Sequence, residues 1–237
     1  MQDEQACLEQ YAAQYWDAIT QEPLPAAVTN AARQEELSFM NGWKVWDVVP
    51  VAQCWNNTGK APLKGKCVDV NKGDQARPVI RCRWVAKEFA TYKSAEFFAA
   101  TPPLEALQMM ISHAASGRKH GRGGRKLLVI DARKAHLHAM AGREVYVELP
   151  PEQRVPGMCA QLNRCLYGTR DAPARWEAFL AEQLTLMGFT RGKASTCCYQ
   201  HATRDVRCIV HGDDFVFVAP EHELRWVQGC MAESFSS

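Results

Sequence analysis

The chain lacks any apolar run approaching the ~18–20 residues a membrane helix needs, and we expect no membrane partner. It lacks a positively charged start followed by an apolar core. Met1-Gln2-Asp3-Glu4-Gln5 is acidic, so no secretory signal is expected. It lacks a large charge excess: the formal net charge is +2 over 237 residues, so a polyanionic partner must be met by a local patch. Its ten cysteines include no C-x-x-C pair and no paired spacing, which argues against a disulfide framework or a zinc site. Cys82, Cys165 and Cys208 fall in apolar or strand-like segments, and Cys197-Cys198 has no partners at ligand spacing. We therefore expect reduced, buried thiols and an intracellular location, cytoplasm or nucleus. There is no internal repeat, long linker or coiled coil. What is present is 47% apolar and 23% charged, enough for one large globular domain or a domain plus subdomain.

The chemistry concentrates in Cys208-Ile209-Val210-His211-Gly212-Asp213-Asp214-Phe215-Val216-Phe217-Val218. Two apolar runs flank adjacent carboxylates, and Gly212 suits a tight turn, so the stretch reads as a β-hairpin with the acids at its tip. Taken alone this is ordinary solvated turn chemistry. A second apolar strand, Leu127-Leu128-Val129-Ile130, also runs into an acid, Asp131. Two such strands suit a two-metal phosphoryl-transfer site, whose ions stand about 3.5–4 Å apart and need oxygen ligands from more than one element.

Along the chain, the spacing predicts helices over residues 4–19 and 31–40, a strand or strand pair over 43–49, and a connection over 56–66. A turn at Asn71-Lys72-Gly73-Asp74 precedes a strand over 78–86, where Arg81 and Arg83 share one face with Lys87 nearby. That face reads either as a phosphate-binding surface or as a solvated edge strand. A helix over 103–115 carries Leu104, Leu107, Met110, Ile111 and Ala114 as a core stripe. The basic, glycine-rich stretch 117–126 is a nucleic-acid contact or a solvated insertion. A short helix follows Asp131, and a strand covers 145–149. A long helix after Ala172-Pro173 has Trp176, Phe179, Leu180, Leu184 and Met187 on its apolar face and closes at Gly188. Strands near 197–200 and 206–211, the hairpin, and a helix over 221–231 complete an α+β plan: an antiparallel sheet with helices packed on one face.

The chain resembles the reverse transcriptase domain of copia-type retrotransposons from about residue 32 to 231. The motifs carrying this are Ala32-Arg33-Gln34-Glu35-Glu36, then Arg81-Cys82-Arg83-Trp84-Val85-Ala86-Lys87-Glu88-Phe89 and Asp131-Ala132-Arg133-Lys134-Ala135-His136-Leu137. Glu144 to Pro150, Leu166-Tyr167-Gly168-Thr169-Arg170-Asp171-Ala172-Pro173-Ala174-Arg175-Trp176, Gly188-Phe189 and His211-Gly212-Asp213-Asp214 follow in the family's order. The resemblance implies a polymerase palm-and-fingers (right-hand) fold with its thumb missing. It implies an N-terminal helical extension over 1–30, a fingers-like region over 31–126 and a palm over 127–237. It implies an RNA-directed DNA polymerase using two Mg²⁺ ions (Mn²⁺ as a substitute), an RNA/DNA template-primer and dNTPs, within a Pol polyprotein. Asp131, Asp213 and Asp214 would be the catalytic, metal-binding carboxylates. Arg83, Lys87, His136 and Gly168 would bind the nucleotide.

The chain departs from the family pattern at His136, where a large aromatic is usual, at His211-Gly212, where Tyr-Val is usual, and at Cys67, where a tryptophan is common. It ends soon after the carboxylate pair. The alternative expectation is an inactive truncated remnant or a nucleic-acid-binding module that keeps the palm.

Overall fold

The computed structural model describes residues 15–89, 100–116 and 124–235. The chain divides into two compact units, residues 1–90 with 141–170 and residues 91–140 with 171–237. In chain order the elements begin with β1 (Tyr15–Trp16), β2 (Pro23–Leu24), α1 (Ala26–Gly42), β3 (Trp46–Pro50), α2 (Val51–Thr58), β4 (Gly65–Asn71) and β5 (Ile80–Ala86). They continue through α3 (Leu104–Ser116), β6 (Arg125–Asp131), a 3₁₀ turn at Ala135–His138, β7 (Tyr146–Val147), a second at Pro151–Gln153 and β8 (Met158–Leu162). The last are α4 (Ala172–Leu186), β9 (Thr190–Arg191), β10 (Cys198–His201), β11 (Val206–His211), β12 (Asp214–Pro220) and α5 (Glu221–Ser234).

The first unit holds three small sheets: β1–β2, the β4–β5 hairpin, and β3-β8-β7. In β5 the alternation expected of a half-buried strand is visible, with Cys82, Trp84 and Ala86 buried and Arg81 exposed. That buried face belongs to a hairpin whose Asp69 receives the Arg33 guanidinium of α1, at 2.6 Å for the shortest contact. Several sequence expectations are corrected here. Of the helix expected over 4–19, residues 4–14 lie outside the described residues, and 15–19 form β1 and a turn instead. Helix α1 begins at Ala26, not 31: Pro25 sets the entry, and Thr29 Oγ1 bonds back to the Pro25 carbonyl at 2.9 Å rather than capping a later start. Lys44 adopts φ +50, which breaks the expected 43–49 strand and delays β3 to Trp46. The stretch expected as a connection contains the end of α2, which stops at left-handed Gly59, and the start of β4.

The second unit is built on one antiparallel sheet of order β6-β12-β11-β10-β9. Phe215 and Phe217, fully buried on one face of β12, pack with Trp176, Leu180 and Leu184 of α4 and with Leu224, Val227 and Met231 of α5. Val218 and Ile209 point to the opposite face, where Met110 of α3 packs on them. Helices therefore cover both faces of this sheet, correcting the one-face plan. The apolar stripe of α3 is also only partly core. Met110 is 6% exposed, but Leu104 is 65% and Ile111 49% exposed.

Nine cysteines lie among the described residues, and none of them is in a disulfide; six are buried and Cys67, Cys198 and Cys230 are half-buried. No described helix is long and apolar enough to cross a membrane.

Candidate active site

Strand β6 ends on Asp131 and β12 starts on Asp214, and the antiparallel register sets these two residues directly opposite each other. Residues opposite in such a ladder project to the same face. Asp213 sits between β11 and β12 in a two-residue hairpin loop closed by the His211–Asp214 pair. Gly212 takes φ +66 at the first loop position, the pattern of a II′ turn, which an L side chain resists. The Asp213 carbonyl accepts the Ala132 N–H at 2.8 Å, so the tip of the hairpin is tied to the end of β6. Asp131, Asp213 and Asp214 are all exposed. Asp213 and Asp214 form no ion pair or side-chain hydrogen bond among the described residues.

The turn has a second anchor that sequence reasoning missed. Trp176 Nε1 donates to the Gly212 carbonyl at 2.7 Å, so α4 holds the loop that carries the acids. The helical spacing marked Trp176 only as core, which it also is at 2% exposed. Its indole N–H is the kind of polar handle that finds a partner when buried. His138, 7% exposed among Trp176, Phe179 and Phe235, approaches the Arg133 carbonyl at 3.2 Å and stiffens the turn after Asp131.

His136 is half-buried beside this tip. It lines a cavity of about 70 Å³ with Trp176, Glu177, Tyr199 and Gly212. At ~30 Å³ per water, that volume suits one or two waters rather than a base. A larger cleft of about 620 Å³ lies between α3 and strands β9–β11 and contains none of the three carboxylates. Its size does not make it the chemical site, since reactivity follows the acids.

The other candidate residues belong to the first unit. The Arg83 guanidinium lies 4.8 Å from the centre of the Tyr167 ring, a cation–π contact. Lys87 is exposed, and its N–H bonds the Lys64 carbonyl at 2.8 Å. Gly168 has φ +82, and a Cβ there would fall 2.0 Å from the Ala86 carbonyl oxygen. Its glycine is thus required by close packing on β5. The neighbouring Tyr167 carbonyl accepts the Ala86 N–H at 2.8 Å. Glu88 accepts the Arg170 N–H at 2.9 Å and also pairs with Arg143, which ties the end of this motif to the strand that carries Arg83.

A family model described as reverse transcriptase (RNA-dependent DNA polymerase) matches residues 43–236. The chain belongs to this reverse transcriptase family. The retrovirus-related Pol polyprotein from transposon TNT 1-94 of Nicotiana tabacum is 26% identical over 220 residues. That alignment covers 86% of this chain and 15% of the relative, so the chain spans a small part of that polyprotein's length. The resemblance to a retrotransposon reverse transcriptase domain is borne out at the level of family.

For this reverse transcriptase domain, the donor set at the tip is all oxygen, as Mg²⁺ prefers. Among the described residues, no group of three or more His, Cys, Asp or Glu is arranged to hold a metal. Asp131 and Asp214 share a face, while Asp213 belongs to the turn. A facing carboxylate pair still fits Mg²⁺, which binds through one or two carboxylates and completes its shell with water and phosphate oxygens.

Proposed function

We propose that the unit carrying the five-stranded sheet is the palm of an RNA-directed DNA polymerase that joins a dNTP to a primer 3′-hydroxyl. The observation that carries this reading is the register: Asp131 stands opposite Asp214, with Asp213 tied to the same strand end. Asp131, Asp213 and Asp214 are the carboxylates that would hold Mg²⁺ (or Mn²⁺), Asp131 and Asp214 facing each other across the ladder and Asp213 at the turn. When bound, the ions lower the pKa of the 3′-hydroxyl and neutralise the triphosphate and leaving pyrophosphate. Trp176 positions the tip through Gly212, and His136 flanks it. The unit with the β4–β5 hairpin is assigned as fingers, where Arg83 and Lys87 supply charge-assisted donors to the triphosphate. Gly168 acts there by fixing the Tyr167 loop. Template-primer and dNTPs are the partners, a longer Pol polyprotein is the context, and the compartment is intracellular, cytoplasm or nucleus.

Primer extension on an RNA template with dNTPs and Mg²⁺ tests this reading. Extension by the wild type, abolished by Asp131→Asn and by Asp214→Asn with the fold retained, is the expected result. Arg83→Ala is expected to weaken Mg-dNTP binding by roughly 1.5–3 kcal/mol, the worth of a hydrogen bond to a charged group. A second reading is a template-primer-binding module without turnover. Duplex binding without extension by the wild type would select it.

A further inference from the structure

In the β4–β5 hairpin, Cys67 lies opposite Trp84 and Cys82 opposite Asp69, so the two cysteines occupy diagonal positions on one face. Cys82 is 6% exposed and Cys67 is half-buried, so one thiol is reachable and its neighbour is sheltered. The Asp69 carboxylate on the same face is gripped by Arg33, whose Nη2 stands 2.6 Å from Oδ2. A guanidinium thus lies at the edge of the thiol pair.

We propose that Cys67 and Cys82 form a reactive dithiol site, with Cys67 the attacking thiolate and Cys82 the resolving thiol, closed to a reversible disulfide by a hydroperoxide. This does not depend on the polymerase reading. The electrostatics agree with the assigned roles. A hydrogen bond from the Cys82 thiol, followed by the charge of Arg33, pulls the Cys67 thiol below its ordinary range against the opposing effect of burial. The same hydrogen bond, together with burial, holds Cys82 protonated. Thiolate is the reactive form of cysteine, and a nearby arginine is one of the environments that produce it.

The chemistry balances in two steps. The Cys67 thiolate attacks the terminal peroxide oxygen and the O–O bond breaks. Cys67 becomes a sulfenic acid, oxidised by two electrons, and the peroxide is reduced to hydroxide or alkoxide that leaves with a proton. With the thiolate gone, the hydrogen bond that kept Cys82 protonated is gone too. Cys82 loses its proton to solvent and attacks the Cys67 sulfur; the S–S bond forms, the S–O bond breaks, and water leaves. Diagonal positions on a sheet lie ~7–8 Å apart, beyond the usual disulfide range of about 4.4–6.8 Å. Closure therefore requires the two strands to shift along each other, and a bridge made under strain is readily reduced.

The test uses the full chain, reduced and then freed of reductant. Iodoacetamide at neutral pH is expected to alkylate Cys67 at least about tenfold faster than the half-buried Cys198 and Cys230, as a lowered thiol pKa requires. Limited hydrogen peroxide, differential alkylation and peptide mapping should then give a Cys67–Cys82 linked peptide as the first oxidation product, reversed by dithiothreitol. In Cys82→Ser the sulfenic acid at Cys67 should persist and be trapped by dimedone; in Cys67→Ser no intramolecular link should form. Circular dichroism of both variants checks that the hairpin is kept. Equal oxidation of Cys198 or Cys230, or a wild-type sulfenic acid at Cys67 that never links to Cys82, overturns the proposal.

Discussion

Two carboxylates facing each other across a ladder repel, and that repulsion gives the candidate site a measurable signature. Asp131 and Asp214 are exposed and directly opposite. Two unit charges ~5 Å apart in a water-like dielectric interact by about 0.8 kcal/mol, and like charges opposite each other in sheets are destabilising within about 0.2–1 kcal/mol. Asp214→Asn keeps the side-chain shape and removes the repulsion. The variant is expected to gain roughly 0.5 kcal/mol of stability at low salt, by the same cross-strand scale, while losing extension activity. The gain should shrink on raising salt from about 0.01 M to about 1 M, where the Debye length falls from ~30 Å to ~3 Å. Added Mg²⁺ should stabilise the wild type and leave the variant nearly unmoved, because binding to the native state alone raises its stability. Urea unfolding followed by tryptophan fluorescence reads all three. A variant less stable than the wild type, or a gain indifferent to salt and Mg²⁺, would falsify the picture of two acids repelling across the ladder.

Arg33→Met should cost about 3–5 kcal/mol by stranding the buried Asp69 charge, and adding Asp69→Leu should recover most of that loss in the same unfolding assay. Gly168→Ala is expected to cost more than about 2 kcal/mol, since it combines a left-handed backbone with a contact that cannot relax cheaply; a neutral result would remove the packing account of this glycine. Trp176→Phe should lower stability by roughly 1–2 kcal/mol through a lost hydrogen bond and an underfilled site. It should also reduce extension, whereas unchanged kinetics would mean the Gly212 anchor is dispensable. Burial pushes the Tyr199 phenol up to about 12, so the folded state favours its neutral form. Stability should be full below pH ~10, where a free phenol begins to ionise, and fall as pH rises toward about 12. The Tyr199→Phe variant should show a flatter alkaline limb in thermal unfolding.

Local signals written in the sequence were enough for the parts of this molecule that depend on near neighbours. The alternation in 206–218, the helical spacing of Trp176, Leu180 and Leu184, and glycine at Gly188 and Gly212 each act over a few residues, so β11, β12, α4 and the acidic hairpin could be read directly. The ordered motifs likewise pointed to the reverse transcriptase family, which the match over residues 43–236 shows. Some short elements were not legible, because β8 pairs with β3, far away in the sequence, and the eight-residue α2 is too short to be stable by its own propensity. The sequence also could not say that α3 crosses the far side of the sheet, or that the Trp176 indole reaches the Gly212 carbonyl. Nor could it say which carboxylates face each other. A one-residue change in register would turn Asp214 to the opposite face of the sheet from Asp131, and only the assembled ladder chooses the register.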